Sequence, residues 1–189
     1  QFRLHREKLQ NKETGLWYHG WDSDSKMHCT FCSEMHWADK STRQSTECWG
    51  RGNGWIMVTL SDALDIVPQR HPYRKELGSY LLEMIQHLPE WQDEKTGHWY
   101  QLPVHHTDPD NWIESSATAM FAYGIHAALR EGLVSDTRYK QSVERAYTGL
   151  RLYSIIPEGE RYLTTQNVCT GTCIGHKSYY YKKKKKKGS

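Results

Sequence analysis

Two segments of the chain share the pattern Thr-Gly-x-Trp-Tyr, namely Thr14-Gly15-Leu16-Trp17-Tyr18 and Thr96-Gly97-His98-Trp99-Tyr100, set 82 residues apart. A repeated Gly turn running into a short aromatic strand implies a repeated supersecondary unit, and what fills the interval decides the architecture. Apolar residues recur there at helical spacing twice. Ile56, Leu60, Ala63, Leu64 and Val67 fall on one helix face, and Leu77, Leu81, Met84, Ile85 and Leu88 repeat the pattern behind Pro72. A unit of two amphipathic helices cannot bury both apolar faces by itself, so neighbouring units must cover them. The expected fold is all-α, with helical hairpins stacked in a solenoid or a toroid. The bland alternative is a coincidence of two Gly turns, since Thr-Gly is common in turns.

The pattern continues beyond the second copy. Ile113, Ala117, Met120, Phe121, Gly124 and Ala128 trace a third face, and Val143, Ala146, Tyr147 and Leu150 a fourth, over 139–156, capped by Asp136 and stopped by Pro157. A charged helix is expected over 2–10. The connections are long and aromatic, unlike the tight turns of a simple bundle, and function is expected on them.

Eight Trp and twelve Tyr stand against three Phe. Trp and Tyr join a flat apolar face to a polar edge, which suits carbohydrate surfaces, although cores and interfaces use it too. The formal net charge is +3, but residues 182–187 are six lysines, which leaves the rest at −3. A nucleic-acid-binding face needs basic residues clustered on the folded domain, so that class is excluded for residues 1–181. A mean hydropathy of −0.83 excludes a membrane span. The run 182–189 is low-complexity and is expected to lie outside the packed domain.

The densest candidate site is Trp49-Gly50-Arg51-Gly52-Asn53-Gly54-Trp55, which the periodicity sets just before the first clear helix. Glycines allow close backbone approach, Arg51 can grip a carboxylate with two parallel hydrogen bonds, and a helix start adds unpaired N–H groups. That combination describes an anion site beside flat apolar faces, as a sugar acid would need. The competing reading is a Gly-rich turn with Arg51 paired to a local acid and both indoles buried. His19, in Trp17-Tyr18-His19-Gly20-Trp21, can hydrogen-bond a sugar, and equally can be a core histidine. Asp108 to Ser116 reads as a turn and helix cap, with Glu114 an ordinary first-turn acid.

Five cysteines form no regular disulfide framework, which favours a reducing, cytoplasmic compartment. Cys29 and Cys32 have zinc-ligand spacing, but Cys48 and His36 make a poor second pair, so no metal and no cofactor is expected. Cys169-Thr170-Gly171-Thr172-Cys173 reads as a second loop that approaches a ligand. The chain opens at Gln1 within a helical pattern, and a preceding segment is expected, which leaves a periplasmic or secreted location as the alternative to the cytoplasm.

Taken in order, Gly15 to Trp21, Trp49 to Trp55, Asp110-Asn111-Trp112-Ile113-Glu114-Ser115-Ser116 and Cys169-Thr170-Gly171-Thr172 resemble the unsaturated rhamnogalacturonyl hydrolases, glycoside hydrolase family 105. The likeness covers residues 1–181 and implies an (α/α)6 barrel of helical hairpins, represented here by its C-terminal half as a partial toroid. It also implies hydration of the vinyl ether in a terminal unsaturated uronic acid, without a metal, on rhamnogalacturonan or pectin-type oligosaccharides. By resemblance Arg51 would hold the uronate, Trp49 and Trp55 would form stacking walls, His19 would bond the sugar, and Thr172 would close the pocket. The family's general acid/base is an Asp in a D-x-L-Y-M type motif, which this sequence lacks. No catalytic residue is therefore assigned. Two other classes remain: a non-catalytic carbohydrate-binding toroid, and a zinc-stabilised interaction module with a basic tail.

Overall fold

The computed structural model describes residues 1–24, 36–158 and 162–184. In chain order, helix α1 is Phe2–Leu9, α2 Gly50–Ile66, α3 Arg74–Ile85, α4 Leu88–Trp91, α5 Ser115–Arg130, α6 Thr137–Gly149 and α7 Lys177–Tyr181. A 3-10 turn spans Pro103–His105, and a hairpin of strands β1 (Ile155–Glu158) and β2 (Tyr162–Thr165) follows α6. The hairpin is antiparallel, with Ile155 opposite Thr165 and Pro157 opposite Leu163.

The repeat is structural. In both copies the glycine is left-handed, at φ +73° for Gly15 and +71° for Gly97, so that a side chain there would be strained. In both, the glycine N–H donates to the carbonyl four residues back, Asn11 or Asp93. The tryptophan N–H is then received by a side chain in the early turns of a long helix. Trp17 N donates to Asn53 Oδ1 at 2.7 Å and Trp99 N to Thr118 Oγ1 at 3.0 Å. Each loop is thereby fastened to one helix, α2 or α5, while its glycine presses on the backbone of another, Glu83 of α3 or Arg145 of α6.

The helices α2 and α5 form the inner pair, with α3 laid against both and α6 against α5. Their contact is close because glycines face methionines. A Cβ on Gly54 would lie 2.7 Å from Met120 Sδ, and one on Gly124 would lie 3.1 Å from Met57 Cβ. Met57, Leu60, Leu81, Met84, Ile85, Trp99, Phe121 and Ile125 are fully buried around this seam. Arg74 closes the far end by donating to the carbonyls of Leu64 and Val67 and pairing with Glu131, which satisfies orphan carbonyls at the C-terminus of α2. The helix α1 lies along α3 through Arg6, whose Nε and Nη2 grip Glu83 at 2.9 and 2.8 Å.

Three sequence expectations need correction. The Gly-rich segment is the opening of α2 itself and not a turn before it, because Gly50 and Gly54 let that helix pack against Gln101 and Met120. The third face starts at Ser115, with Ile113 paired to Tyr100 in an isolated bridge. The fourth helix ends at Gly149, widens into a π-helical turn over Leu150–Ser154 and passes into β1, with Pro157 inside the strand. Asp136 caps α6 as expected, accepting from Arg138 N at 2.9 Å. Of the lysine run, Lys183 and Lys184 pair through their backbone with Thr170 and Cys169, and residues 185–189 lie outside the described part.

Candidate functional site

The N-terminal ends of α2 and α5 lie side by side, and the loop through Cys169 crosses them. Trp49 precedes α2 in an extended conformation, and the N–H of Gly50 donates to Gln101 O at 2.9 Å. A Cβ at position 50 would meet the carbonyl oxygens of Tyr100 and Gln101 at 3.0 and 3.1 Å, so the glycine lets the helix start against the second aromatic strand. The Trp49 indole N–H donates to Gln101 Oε1 at 3.3 Å, which fixes the ring.

His19 reaches this point on an extended segment paired antiparallel with the chain leading into α2. His19 N donates to Glu47 O and Ser45 N to Gly20 O, at 3.0 and 2.9 Å. The imidazole lies 4.6 Å from the Trp49 ring and 2.7 Å, through Nδ1, from the buried Tyr180 hydroxyl. Burial pulls the His19 pKa down to about 4, so the ring is neutral at neutral pH. Burial also pushes the Tyr180 phenol well above its usual range and keeps it protonated. A protonated phenol needs an acceptor, which Nδ1 provides, and the proton of the imidazole is then on Nε2.

Arg51, in the first turn of α2, is engaged on one side. Its Nε donates to Ser116 Oγ at 2.8 Å, and its Nη2 donates to Glu114 Oε1 at 3.2 Å and to Cys169 O at 2.9 Å. Nη1 has no protein partner among the described residues. The two-pronged edge expected for a ligand is thus occupied by Ser116 and Glu114, and what Arg51 can offer is Nη1. Its partner Glu114 is fully buried and is the N-cap of α5, accepting from Ala117 N. The guanidinium lies 6.0 Å from the Trp49 ring.

Thr172 sits on the same loop as Cys169, and its hydroxyl donates to Thr170 O at 2.8 Å. The structure therefore gathers His19, Trp49 and Arg51, with Thr172 on the adjoining loop. Trp55 stands apart. It is 57 % exposed and lines an apolar groove of about 310 Å³ with Phe2, Leu9, Trp17 and Ile56. Six residues carry it more than one and a half turns from Trp49, so the two indoles do not face each other across one pocket. Sequence reasoning passed over Glu114 as an ordinary first-turn acid, where the structure makes it the N-cap, and over Tyr180 entirely. The signal available for Glu114 was a carboxylate longer than a cap requires.

Cys29, Cys32 and His28 lie outside the described residues. Among the described residues no three His, Cys, Asp or Glu side chains are grouped as metal ligands would be. Cys48 and Cys169 are buried free thiols with raised pKa values, the latter pushed up to about 11 by burial. No helix of the described part is long and apolar enough to cross a membrane.

The sequence model of Glycosyl Hydrolase Family 88 matches residues 1–188. Unsaturated rhamnogalacturonyl hydrolase YesR of Bacillus subtilis (strain 168) is 32% identical over 141 residues, covering 75% of this chain and 34% of that protein. The 24.9 kDa protein in the picA locus of Rhizobium radiobacter is 28% identical over 169 residues, covering 86% and 64%. A family 105 glycoside hydrolase of C. acetobutylicum ATCC 824 superposes with a TM-score of 0.82 at 26% identity, over 96% of this chain and 50% of that one. A possible family 105 member from Salmonella enterica gives 0.74 at 35% identity, over 98% and 43%. The chain thus spans between a third and two thirds of the length of these curated relatives, and its helical hairpins form part of an (α/α)6 barrel. With nearly the whole sequence matched and the hairpins superposed, the chain belongs to glycosyl hydrolase family 88.

Proposed function

We propose that this chain forms the sugar-binding part of a hydrolase acting on oligosaccharides that end in an unsaturated uronic acid, of the rhamnogalacturonan or pectin type. The observation that carries the reading is the meeting of His19, Trp49, Arg51 and the loop bearing Thr172 at the joined N-terminal ends of α2 and α5, in a chain of family 88. The Arg51 Nη1 group donates to the uronate carboxylate, and two helix N-termini add to the positive potential. The Trp49 ring offers a face to the C–H side of the sugar. His19, neutral and carrying its proton on Nε2, is a hydroxyl partner that costs no buried charge. Thr172, on the loop whose Cys169 carbonyl receives Arg51, borders the bound sugar.

The reaction is hydration of the C4=C5 bond: a proton adds at C4, water adds at C5, and the resulting hemiketal opens to release the neighbouring sugar. This chain's contribution is to hold the anionic ring in register for that protonation. No residue described here is assigned as the proton donor. The compartment that fits free buried thiols is the cytoplasm.

Isothermal titration of the chain with a 4,5-unsaturated galacturonyl-rhamnose disaccharide tests the reading. Loss of a charge-assisted hydrogen bond in Arg51→Ala is expected to weaken binding by about tenfold or more. Equal affinity for the wild-type and Arg51→Ala chains, both folded by circular dichroism, would refute the proposal and leave Arg51 as a structural pin.

A further inference from the structure

Capping α5 requires one oxygen near the N–H of Ala117, and short side chains such as Ser, Thr, Asp or Asn do it best. Glu114 does this with Oε2 and has a second oxygen to spare. Oε1 accepts from Arg51 Nη2 at 3.2 Å, from Cys169 N at 3.0 Å and from Ser116 Oγ at 2.9 Å. Ser116 in turn receives Arg51 Nε at 2.8 Å, so the guanidinium is held along its whole Nε–Nη2 edge by a serine and a carboxylate acting together. Cys169 closes the circuit, since its N–H reaches Glu114 while its carbonyl receives Arg51 Nη2 at 2.9 Å. One side chain, 0 % exposed, thus locks three separate segments: the start of α2, the start of α5 and the loop that leads to Thr172.

We propose that Glu114 is the positioning residue of this site: it fixes the Arg51 guanidinium and the Cys169–Thr172 loop as one rigid piece, so that Nη1 meets the ligand's carboxylate in a single orientation. This rests on the sugar-acid reading given above. The charge arrangement supports it. A buried carboxylate beside a guanidinium that is 20 % exposed makes a neutral pair, so the pair itself adds no net charge and Arg51 recognises the acid through directed N–H donors. Such recognition depends on geometry, and Glu114 sets the geometry.

Glu114→Asp separates this role from capping. It keeps the charge and remains a good cap, but withdraws the carboxylate by about 1.5 Å, one C–C bond, from Arg51 and Cys169. The measurement is the ratio of affinities for the unsaturated galacturonyl-rhamnose acid and its methyl ester, by titration calorimetry on the full chain. That ratio is expected to fall about tenfold in Glu114→Asp, because acid affinity drops further than ester affinity, whereas general loosening of the fold would weaken both alike and leave the ratio unchanged. An unchanged ratio in Glu114→Asp overturns the inference. Should that variant fail to fold, Ser116→Ala removes the Nε arm of the clamp and leaves the carboxylate in place. It is expected to lower the ratio about threefold, and an unchanged ratio there is equally fatal. Arg51→Ala tells the two proposals apart: if it retains the acid preference, the sugar-acid reading itself falls, whereas if it loses the preference and Glu114→Asp does not, only the positioning role falls.

Discussion

Replacing Gly97 by alanine tests what the repeated loop does for the fold. The residue is left-handed, and an L side chain in that region costs about 1–2 kcal/mol. The new Cβ would also stand 2.3 Å from Arg145 O and 2.7 Å from its carbonyl carbon. Both atoms belong to the backbone of α6, so nothing flexible can yield. Either α6 or the loop must withdraw by about 1 Å to restore ordinary contact, and the buried Gln92 Nε2, which bridges Gly97 O at 2.8 Å and Ser142 O at 2.9 Å, then loses a partner. An unsatisfied buried group adds about 1–3 kcal/mol, bringing the total to about 2–5 kcal/mol, a large share of a domain's usual stability. Gly132 supplies the control: its φ is +67°, and nothing lies within 4 Å of a Cβ placed there. Gly132→Ala should therefore show the conformational cost alone, about 1–2 kcal/mol. Urea unfolding followed at 222 nm would compare the two midpoints. If Gly97→Ala and Gly132→Ala proved equally destabilising, the docking of the loop on α6 would contribute nothing, and the reading that each repeated Gly loop fastens its unit to a neighbouring helix would be refuted.

Two further outcomes follow from the buried titratable groups. Burial holds His19 near pKa 4 against 6.5 in the unfolded chain, so the unfolded state takes up the proton first as pH falls. Stability is then lost between pH 6.5 and 4 by about 3 kcal/mol, and His19→Gln should flatten that part of the pH–stability curve; an unaltered slope would contradict it. Iodoacetamide at pH 8, with sites mapped by mass spectrometry, should leave Cys48 unmodified in the native chain and modify it in urea, because burial both hides the thiol and disfavours the thiolate. Rapid native alkylation of Cys48 would show that this part of the core opens.

The helical framework was legible because burial of one helix face imposes its own period. Leu60, Leu64, Leu81, Met84, Phe121 and Ala128 are buried as their spacing demands. The repeat was legible because a left-handed turn at Gly15 and Gly97 can hardly be written with another residue. What the sequence concealed were features decided by distant partners. The glycines of α2 look like a loop until Gln101 and Met120 are placed against them. The 150–158 segment has helix-forming residues, yet passes into a strand through pairing with residues 162–165. At the site, proximity in sequence suggested Trp55 as the mate of Trp49, whereas the helix carried it to another groove. Arg51 stood out in its Gly-rich setting, but the acid at position 114, 63 residues away, gave no hint of which edge of its guanidinium would be engaged within the chain.

The seam between α2 and α5 has a consequence for how this chain can change through mutation. Each helix gives the other a glycine and receives a methionine, Gly54 for Met120 and Gly124 for Met57. A larger residue at position 54 is tolerable only where position 120 shrinks, and the same holds for 124 with 57, so the viable substitutions are paired ones. Single steps cross a valley of overpacking or a valley of cavity, each costing about 1–3 kcal/mol or more. Sequences descended from this one should therefore either keep both glycine–methionine pairs or exchange a whole pair at once, a correlated drift that preserves the spacing of the inner helices.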